Sequence, residues 1–215
     1  MPTQGIAIIT VIIIGFILFD FFLETILDTW NAKTWDIPIP KELEGIYDDD
    51  KYAKARKYHQ ATQRLSTLST VISTVLIIAV LWWKGFAIAH IYITQYTTSP
   101  IFQALLFFGV FAVASSIIEL PFELFGIFVI EEKFGFNKMT WKTYLSDKRK
   151  GIILGAIIGG ILLSLFVWFY TIAGTLFWIY AWILFSAFTI FFAMFYTSII
   201  VPIFNKLNPL EDGTL

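Results

Sequence analysis

Five long apolar runs, separated by polar segments, dominate the pattern of this chain. They cover approximately residues 6–27, 66–94, 101–130, 151–170 and 172–200. Roughly 20 apolar residues allow an α-helix to cross a bilayer, and only structures that satisfy their own backbone hydrogen bonds do so. The pattern therefore predicts an all-α membrane protein with five transmembrane helices. We expect one polytopic domain over residues 1–215, with polar loops at 29–65 and 131–150.

Composition supports this class. The chain is 58% hydrophobic and 14% charged, and a soluble domain of 215 residues could not bury that much apolar surface. It has no cysteine, which excludes disulfides and thiol chemistry. The first apolar run lacks a basic leading segment and a small-residue cleavage site, so we interpret it as a retained span rather than a signal peptide.

The basic residues predict an orientation. Residues 1–32 contain no Lys or Arg, whereas 14 of the 15 basic residues fall in the two predicted loops and the tail, and Lys84 is the exception. Positive charge marks the cytoplasmic side of a membrane protein. We therefore expect the amino terminus outside, the carboxyl terminus in the cytoplasm, and the protein to be an integral multi-pass component of a bacterial inner membrane or an equivalent one.

The segment before the second span has the charge order of a helix start. Asp48, Asp49 and Asp50 precede a basic run from Lys51 to Arg64, and acids at the front with bases behind complement the helix dipole. This predicts a long helix that starts near Asp49 and enters the second span. We interpret the basic run as a topology signal, so no nucleic-acid partner is expected.

Several single positions predict local structure. Trp82, Trp83 and Lys84 are typical of an interfacial belt with a snorkelling lysine. Pro121 should kink the third span, and Thr140 could start a short interfacial helix. A ridge of small residues on the fourth span should let another helix approach closely; it consists of Gly151, Gly155 and Gly159.

Two groups of acids lie near the predicted inner ends of spans. Asp20, Glu24 and Asp28 repeat every four residues, so they share one helix face, and Glu119 and Glu123 do the same on the third span. One interpretation is a polar face that meets interfacial water. The other is a water-filled cavity, open to the cytoplasm, because carboxylates within a bilayer need water or cationic partners.

The histidines provide no metal motif. Zinc peptidases with an HExxH helix place two imidazoles one turn apart around a catalytic glutamate. His59 is followed by QATQ and His90 by IYIT, so neither starts such a motif. We find no readable Ser-His-Asp constellation, P-loop or GxGxxG, and we expect no catalytic residue, metal ligand or cofactor in this chain.

Two segments carry a family resemblance. The run IEEKFGFNKMT, residues 130–140, together with the preceding ELPFELF, resembles a signature of integral-membrane zinc metallopeptidases of the CAAX prenyl protease 1 type. The run VPIFNKLNPLEDGTL, residues 201–215, resembles the stretch that leads out of the last amino-terminal span of that family. Five spans before this stretch agree with the family's order.

The resemblance implies a role. In that family the amino-terminal spans form part of a helical barrel around a water-filled chamber, and a zinc domain with HExxH follows. Here that domain is absent, so the chain alone is predicted to be inactive, while zinc and a peptide substrate are implied for the full-length enzyme. Candidate chamber-lining or docking residues are Asp20, Glu24, Asp28, Glu119, Glu123, Glu131, Glu132, Lys133 and Asn137.

Three functional interpretations remain open. The chain could be the amino-terminal domain of such a peptidase, working with a zinc domain in cis or in trans. It could be a stand-alone interaction or regulatory module without protease activity. It could also be a small channel or transporter that uses the acids, although five spans without an inverted repeat do not favour alternating access.

Overall fold

A computed structural model describes residues 3–34 and 49–205, and the side chains within 7–33 and 50–205. The described residues form helices joined by short turns, with no strand among them. Contacts divide the chain into two units. The first comprises residues 1–92 and 110–138, and the second comprises residues 93–109 and 139–215.

The first unit begins with two long helices. Helix α1 is Thr3–Thr34 and helix α2 is Asp49–Trp82. The predicted long helix into the second span is confirmed, because α2 runs for 34 residues without interruption. The two helices pack on each other, and the Gln63 side-chain amide donates to the carbonyl of Asp28 over 2.9 Å. Pro38 and Pro40, which precede α2 in the predicted loop, lie outside the described residues.

The predicted second span, 66–94, is divided at Trp83 and Lys84. Lys84 has φ 57°, in the left-handed region, and helix α3, Gly85–Thr94, starts after it. A Cβ at Gly85 would lie 2.9 Å from the Val80 side chain, so a glycine is needed here. The belt predicted from Trp82 to Lys84 therefore coincides with a helix break, and α2 ends earlier than the apolar pattern suggested.

The third span continues further than its apolar run. Helix α4, Pro100–Phe125, contains Pro121; a π-helix over Gly126–Glu131 and helix α5, Glu132–Phe134, follow without a gap. A proline inside a helix removes a backbone donor, and a π-helix is a rare irregularity that is frequently found at functional sites. The predicted loop at 131–150 is accordingly shorter, because helix continues to Phe134 and resumes at Trp141.

The second unit contains the last two spans. Thr140 caps helix α6, Trp141–Ile172, since its hydroxyl accepts from the Thr143 backbone N–H over 3.2 Å. The helix start predicted at Thr140 is thus found, but the helix is not short: it is continuous with the fourth span.

A 3₁₀ turn, Gly174–Leu176, connects α6 to α7, Phe177–Phe195. Gly174 takes φ 52°, which a residue with a Cβ rarely adopts. A second π-helix, Tyr196–Ile200, and helix α8, Val201–Phe204, complete the last span. Pro202 lies within α8, and the helix ends at Asn205, whose backbone is extended. Lys206, Asn208 and Pro209 lie outside the described residues.

The predicted fold class is confirmed. Five helices among the described residues are long and apolar enough to cross a membrane: Ala7–Lys33, Asp50–Trp82, Pro100–Phe134, Trp141–Ile172 and Gly174–Phe204. The orientation across the membrane stays a prediction. Outside the helix's own backbone, no described atom lies within 4 Å of a Cβ built at Gly151, Gly155 or Gly159, so the close helix contact predicted for this ridge is not found among the described residues.

Candidate functional site

The segment Glu131–Lys138, which we call the motif turn, is closed by its own hydrogen bonds. Gly135 has φ 75° and donates to the Glu132 carbonyl, while Phe136 donates to the Glu131 carbonyl over 2.9 Å. These paired bonds define a Schellman motif, in which a left-handed glycine ends a helix. The Asn137 amide then donates to the Glu132 carboxylate over 3.0 Å. The hydrogen bonds of the turn and its left-handed glycine therefore explain the residue pattern EEKFGFN.

The motif turn packs on the amino-terminal part of α2. The Tyr58 ring lies edge-on to Phe134 and to Phe136, with centroid distances of 5.5 and 4.9 Å. The Lys54 ammonium lies 5.4 Å from the Phe136 ring centroid, within cation–π range. Aromatic pairs of this geometry add about 0.5–1.5 kcal/mol each beyond burial. Helix α2 therefore holds the turn in place from one side.

The π-helix before the motif turn also contacts α2. A Cβ at Gly126 would lie 3.5 Å from the Leu65 side chain, an ordinary van der Waals distance. Ile130 and Phe134 are buried, whereas Glu132, Lys133 and Lys138 are exposed. The turn thus presents a polar, charged outer surface on an apolar, anchored base.

The start of the second resembling segment is held in the second unit. The Lys150 ammonium donates to the Ile203 carbonyl over 2.9 Å, lies 5.8 Å from the Phe204 ring centroid, and is 3.7 Å from the Asp147 carboxylate. A cation at the carboxyl end of a helix satisfies a terminal carbonyl and complements the dipole. Lys150 therefore fixes the place where the last span ends.

The structure places the candidate acids on surfaces rather than in a core. Asp20, Glu24, Asp28 and Glu119 are exposed, and Glu123 is half-buried. The three acids of α1 follow one face, as their spacing requires. Glu131 is half-buried and accepts hydrogen bonds in the turn through its backbone carbonyl. Glu132 accepts through both its backbone carbonyl and its carboxylate, and the Asn137 side chain donates to that carboxylate. Lys133 is exposed, with its ammonium 5.9 Å from the Phe134 ring centroid.

The described residues do not fit a metal site. Among them, no three His, Cys, Asp or Glu side chains come together in a way that could hold an ion. His59 and Trp82 are both on α2, and the 23 residues from one to the other correspond to about 35 Å of helix. His90 lies beyond, on α3, so the two imidazoles cannot share one ion.

Sequence reasoning missed the residues that anchor both resembling segments. Tyr58 and Lys54 lie in a basic run that was interpreted as a topology signal, and Lys150 was counted only as a positive charge. The signal available for α2 was the four-residue spacing of Lys54 and Tyr58, which puts both on one helix face. Nothing in the local pattern joined Lys150 to Ile203, 53 residues away.

Five apolar helices and two anchored segments at helix ends define a polytopic helical membrane protein. The sequence profile of the family described as "CAAX prenyl protease N-terminal, five membrane helices" matches residues 28–206. The chain belongs to this family and is an amino-terminal membrane domain of the CAAX prenyl protease type.

Individual relatives support the same family assignment. CAAX prenyl protease 1 of Saccharomyces cerevisiae is 30% identical over 216 residues, which cover 95% of this chain and 48% of the yeast protein. A homolog from Arabidopsis thaliana is 28% identical and is covered over 50% of its length. The crystal structure of S. mikatae Ste24p matches with a TM-score of 0.85 and 31% identity, over 95% of this chain and 50% of that one.

The chain spans about half the length of these relatives. The resemblance stated from the two segments is confirmed, and the peptidase part lies in sequence that this chain does not contain. The relatives named here come from yeasts and a plant. They give no support to the expectation of a bacterial inner membrane.

Proposed function

We propose that this chain provides the membrane half of a zinc metallopeptidase. In this proposal it forms part of the wall of a chamber and presents the docking surface for a zinc peptidase domain, supplied in cis or in trans. The substrate would be a peptide, including one with a prenylated carboxyl terminus. The name CAAX prenyl protease 1, which the yeast relative carries, supports the substrate class.

The observation that carries the proposal is the anchored motif turn. Backbone hydrogen bonds and the contact with Tyr58 hold it in a single arrangement. Lys133 and Lys138 are exposed on its outer side, and Phe136, which packs on Tyr58, keeps half of its surface exposed. A partly exposed aromatic side chain with a polar rim suits a protein–protein contact, and a rigid surface lowers the entropic cost of binding. We assign Glu131, Glu132, Lys133 and Asn137 to this docking element. Lys133 contributes to its exposed surface, and the other three form the hydrogen bonds that hold the turn together.

The acids fit the chamber wall in the same proposal. Asp20, Glu24, Asp28, Glu119 and Glu123 would face water enclosed between these helices and the remaining spans of the full protein. This arrangement would remove the cost, about 2.5–3.5 kcal/mol for an acid at the bilayer centre, of leaving a carboxylate in lipid.

The orientation belongs to this proposal too. Lys54 of the amino-terminal part of α2 lies beside the motif turn, so basic residues of both predicted loops occur at one end of the first unit. The positive-inside rule assigns that end to the cytoplasm.

A site-specific photocrosslinker tests the docking surface. A benzophenone residue at Lys138, introduced into the chain in its own membranes, should crosslink to a polypeptide containing HExxH, identified by mass spectrometry. The matched control is the same residue at Leu176, which is 52% exposed in the connection between α6 and α7. Crosslinks from Lys138 only to lipid, or to a protein without a zinc motif, would contradict the proposal and favour the stand-alone module.

A further inference from the structure

The first three turns of α6 expose an unusual combination of side chains. Trp141, Leu145, Arg149 and Ile152 follow one another at intervals of four, four and three residues, so they share one helix face. Trp141, Leu145 and Ile152 are exposed over 56%, 62% and 59% of their surfaces. Arg149 is exposed as well. We call this face, together with Lys142, the α6 entry surface.

The α6 entry surface is continuous with the membrane-spanning face of the same helix. Ile153 and Ile157, which follow it, are exposed over 53% and 54% of their surfaces. Exposed isoleucines in an apolar helix are the residues expected to meet lipid chains. The face that carries Lys142 and Arg149 therefore turns towards the same lipid.

The length of α6 places this surface at the edge of the hydrocarbon core and, when the helix tilts, within the lipid headgroup layer. The part from Gly151 to Ile172 has 22 residues, about 33 Å, close to the roughly 30 Å of a hydrocarbon core. The preceding ten residues add about 15 Å, which exceeds the headgroup layer unless the helix tilts. Arg149 then lies at the edge of the core and Lys142 about 10 Å further out, two helical turns away.

We propose that the α6 entry surface binds the headgroups of anionic phospholipids. The charge complementarity is direct. An arginine guanidinium suits phosphate, and a lysine two turns away on the same helix face adds a second cation. A tryptophan is the aromatic residue typical of the membrane interface. Asp147 does not cancel this charge, because its carboxylate is turned to Lys150. The proposal does not depend on the peptidase function.

The chain contains no cysteine, so a single reporter can be introduced without background. Ile152→Cys, labelled with bimane, provides a fluorophore on the same face, less than one turn from Arg149. The labelled chain is reconstituted in phosphatidylcholine nanodiscs that contain a small fraction of a spin-labelled lipid. Quenching by spin-labelled phosphatidylserine is compared with quenching by spin-labelled phosphatidylcholine at equal amounts.

We expect phosphatidylserine to be enriched at the reporter. Each basic residue near an anionic headgroup strengthens association by about fivefold at moderate salt. The double variant Lys142→Gln/Arg149→Gln should lose most of the preference, and Lys142→Arg/Arg149→Lys should keep it. The matched control is Lys57→Gln/Arg64→Gln, which removes an exposed pair of the same spacing from α2 and should leave the preference intact.

Three results would overturn the proposal. Equal quenching by both lipids would show that no selective surface exists. A preference that survives Lys142→Gln/Arg149→Gln would place the selectivity elsewhere, and an equal loss in the α2 control would assign it to net charge. Circular dichroism and size-exclusion profiles of all variants establish that each one is folded, since every substituted residue is exposed.

Discussion

The Lys150 ammonium donates a hydrogen bond to the backbone carbonyl of Ile203 over 2.9 Å, and the two residues are 53 positions apart. Ile203 belongs to the last helix that the structure describes, α8, whose end is at Asn205. One side chain from the start of the fourth span therefore holds the end of the fifth. Because the relatives continue beyond this point, Lys150 acts where the membrane half would pass into the rest of such a protein.

Replacing Lys150 should loosen this end without unfolding the helices. Lys150→Met removes a charge-assisted hydrogen bond from a side chain that is about one-third exposed. We therefore expect the interaction that holds the helix end to weaken by about 1 kcal/mol. Nitroxide labels on Leu145→Cys and Asn205→Cys should show a distinctly broader distance distribution in Lys150→Met. Lys150→Arg, which can still donate to the Ile203 carbonyl, should remain narrow. An unchanged distribution in Lys150→Met would mean that the hydrogen bond does not position the helix end.

The matched control for this experiment is Lys142→Met. Lys142 lies on the same helix, eight residues earlier, and is exposed. Its replacement should leave the label distances as they are.

Gly135→Ala should destabilise the first unit. The cost is conformational, because φ is 75° and a Cβ would lie 3.8 Å from the Lys54 ammonium, an ordinary contact. A left-handed conformation costs a residue with a Cβ about 1–2 kcal/mol. Gly151→Ala is the control: the site is helical and open, so alanine should be neutral or stabilise by up to about 1 kcal/mol. Thermal unfolding in detergent measures the stability of both variants. Equal unfolding midpoints for Gly135→Ala and Gly151→Ala would contradict the assigned role of Gly135.

The contact of Tyr58 with Phe136 should be measurable as a coupling energy. Tyr58→Leu loses two edge-on ring contacts, whereas Tyr58→Phe keeps the ring and should change stability little. A double-mutant cycle with Phe136→Leu should give a coupling of about 1 kcal/mol. A coupling near zero would show that the motif turn does not depend on α2 for its position.

Adding one residue to the π-helix should misplace the motif turn. The wider turn of Gly126–Glu131 already holds one residue more than a regular α-helical turn. An alanine inserted after Val129, which is 46% exposed, would therefore rotate everything after it by about 100°. Crosslinking between Lys54→Cys and Phe136→Cys with a short thiol reagent should then be lost.

The substitution Val129→Ala keeps the residue count and should retain this crosslink. If the insertion variant were crosslinked as efficiently as the substituted chain, the residue count of the π-helix would have no part in aligning the turn.

Sequence reasoning predicted the five spans and the family because these depend on local patterns: apolar length, and the runs around Gly135 and Pro202. It did not predict the break at Lys84, because the span was counted by apolar length and the apolar pattern resumes after Gly85, although a lysine followed by a glycine is a helix-stop signal. It also divided α6 at Lys150, because the run of charged residues was interpreted as a loop. In the structure one helix starts after the Thr140 cap and continues through those charged residues.

The anchoring of the candidate site was beyond a single sequence for a different reason. Tyr58 and Phe136, like Lys150 and Ile203, meet through tertiary packing, and no periodicity within either segment records the partner. The glycine ridge shows the converse. Its spacing predicts a close helix contact, and the described chain supplies none within 4 Å.

The most direct test of the proposed function is the intact mass and zinc content of the native product in its own membranes. We predict a mass well above the 24.7 kDa of this chain, or a stable complex with a second polypeptide, in either case with about one zinc per chain. A product of 24.7 kDa that carries no zinc and has no associated polypeptide would contradict the account. The chain would then be a stand-alone membrane module of the same family.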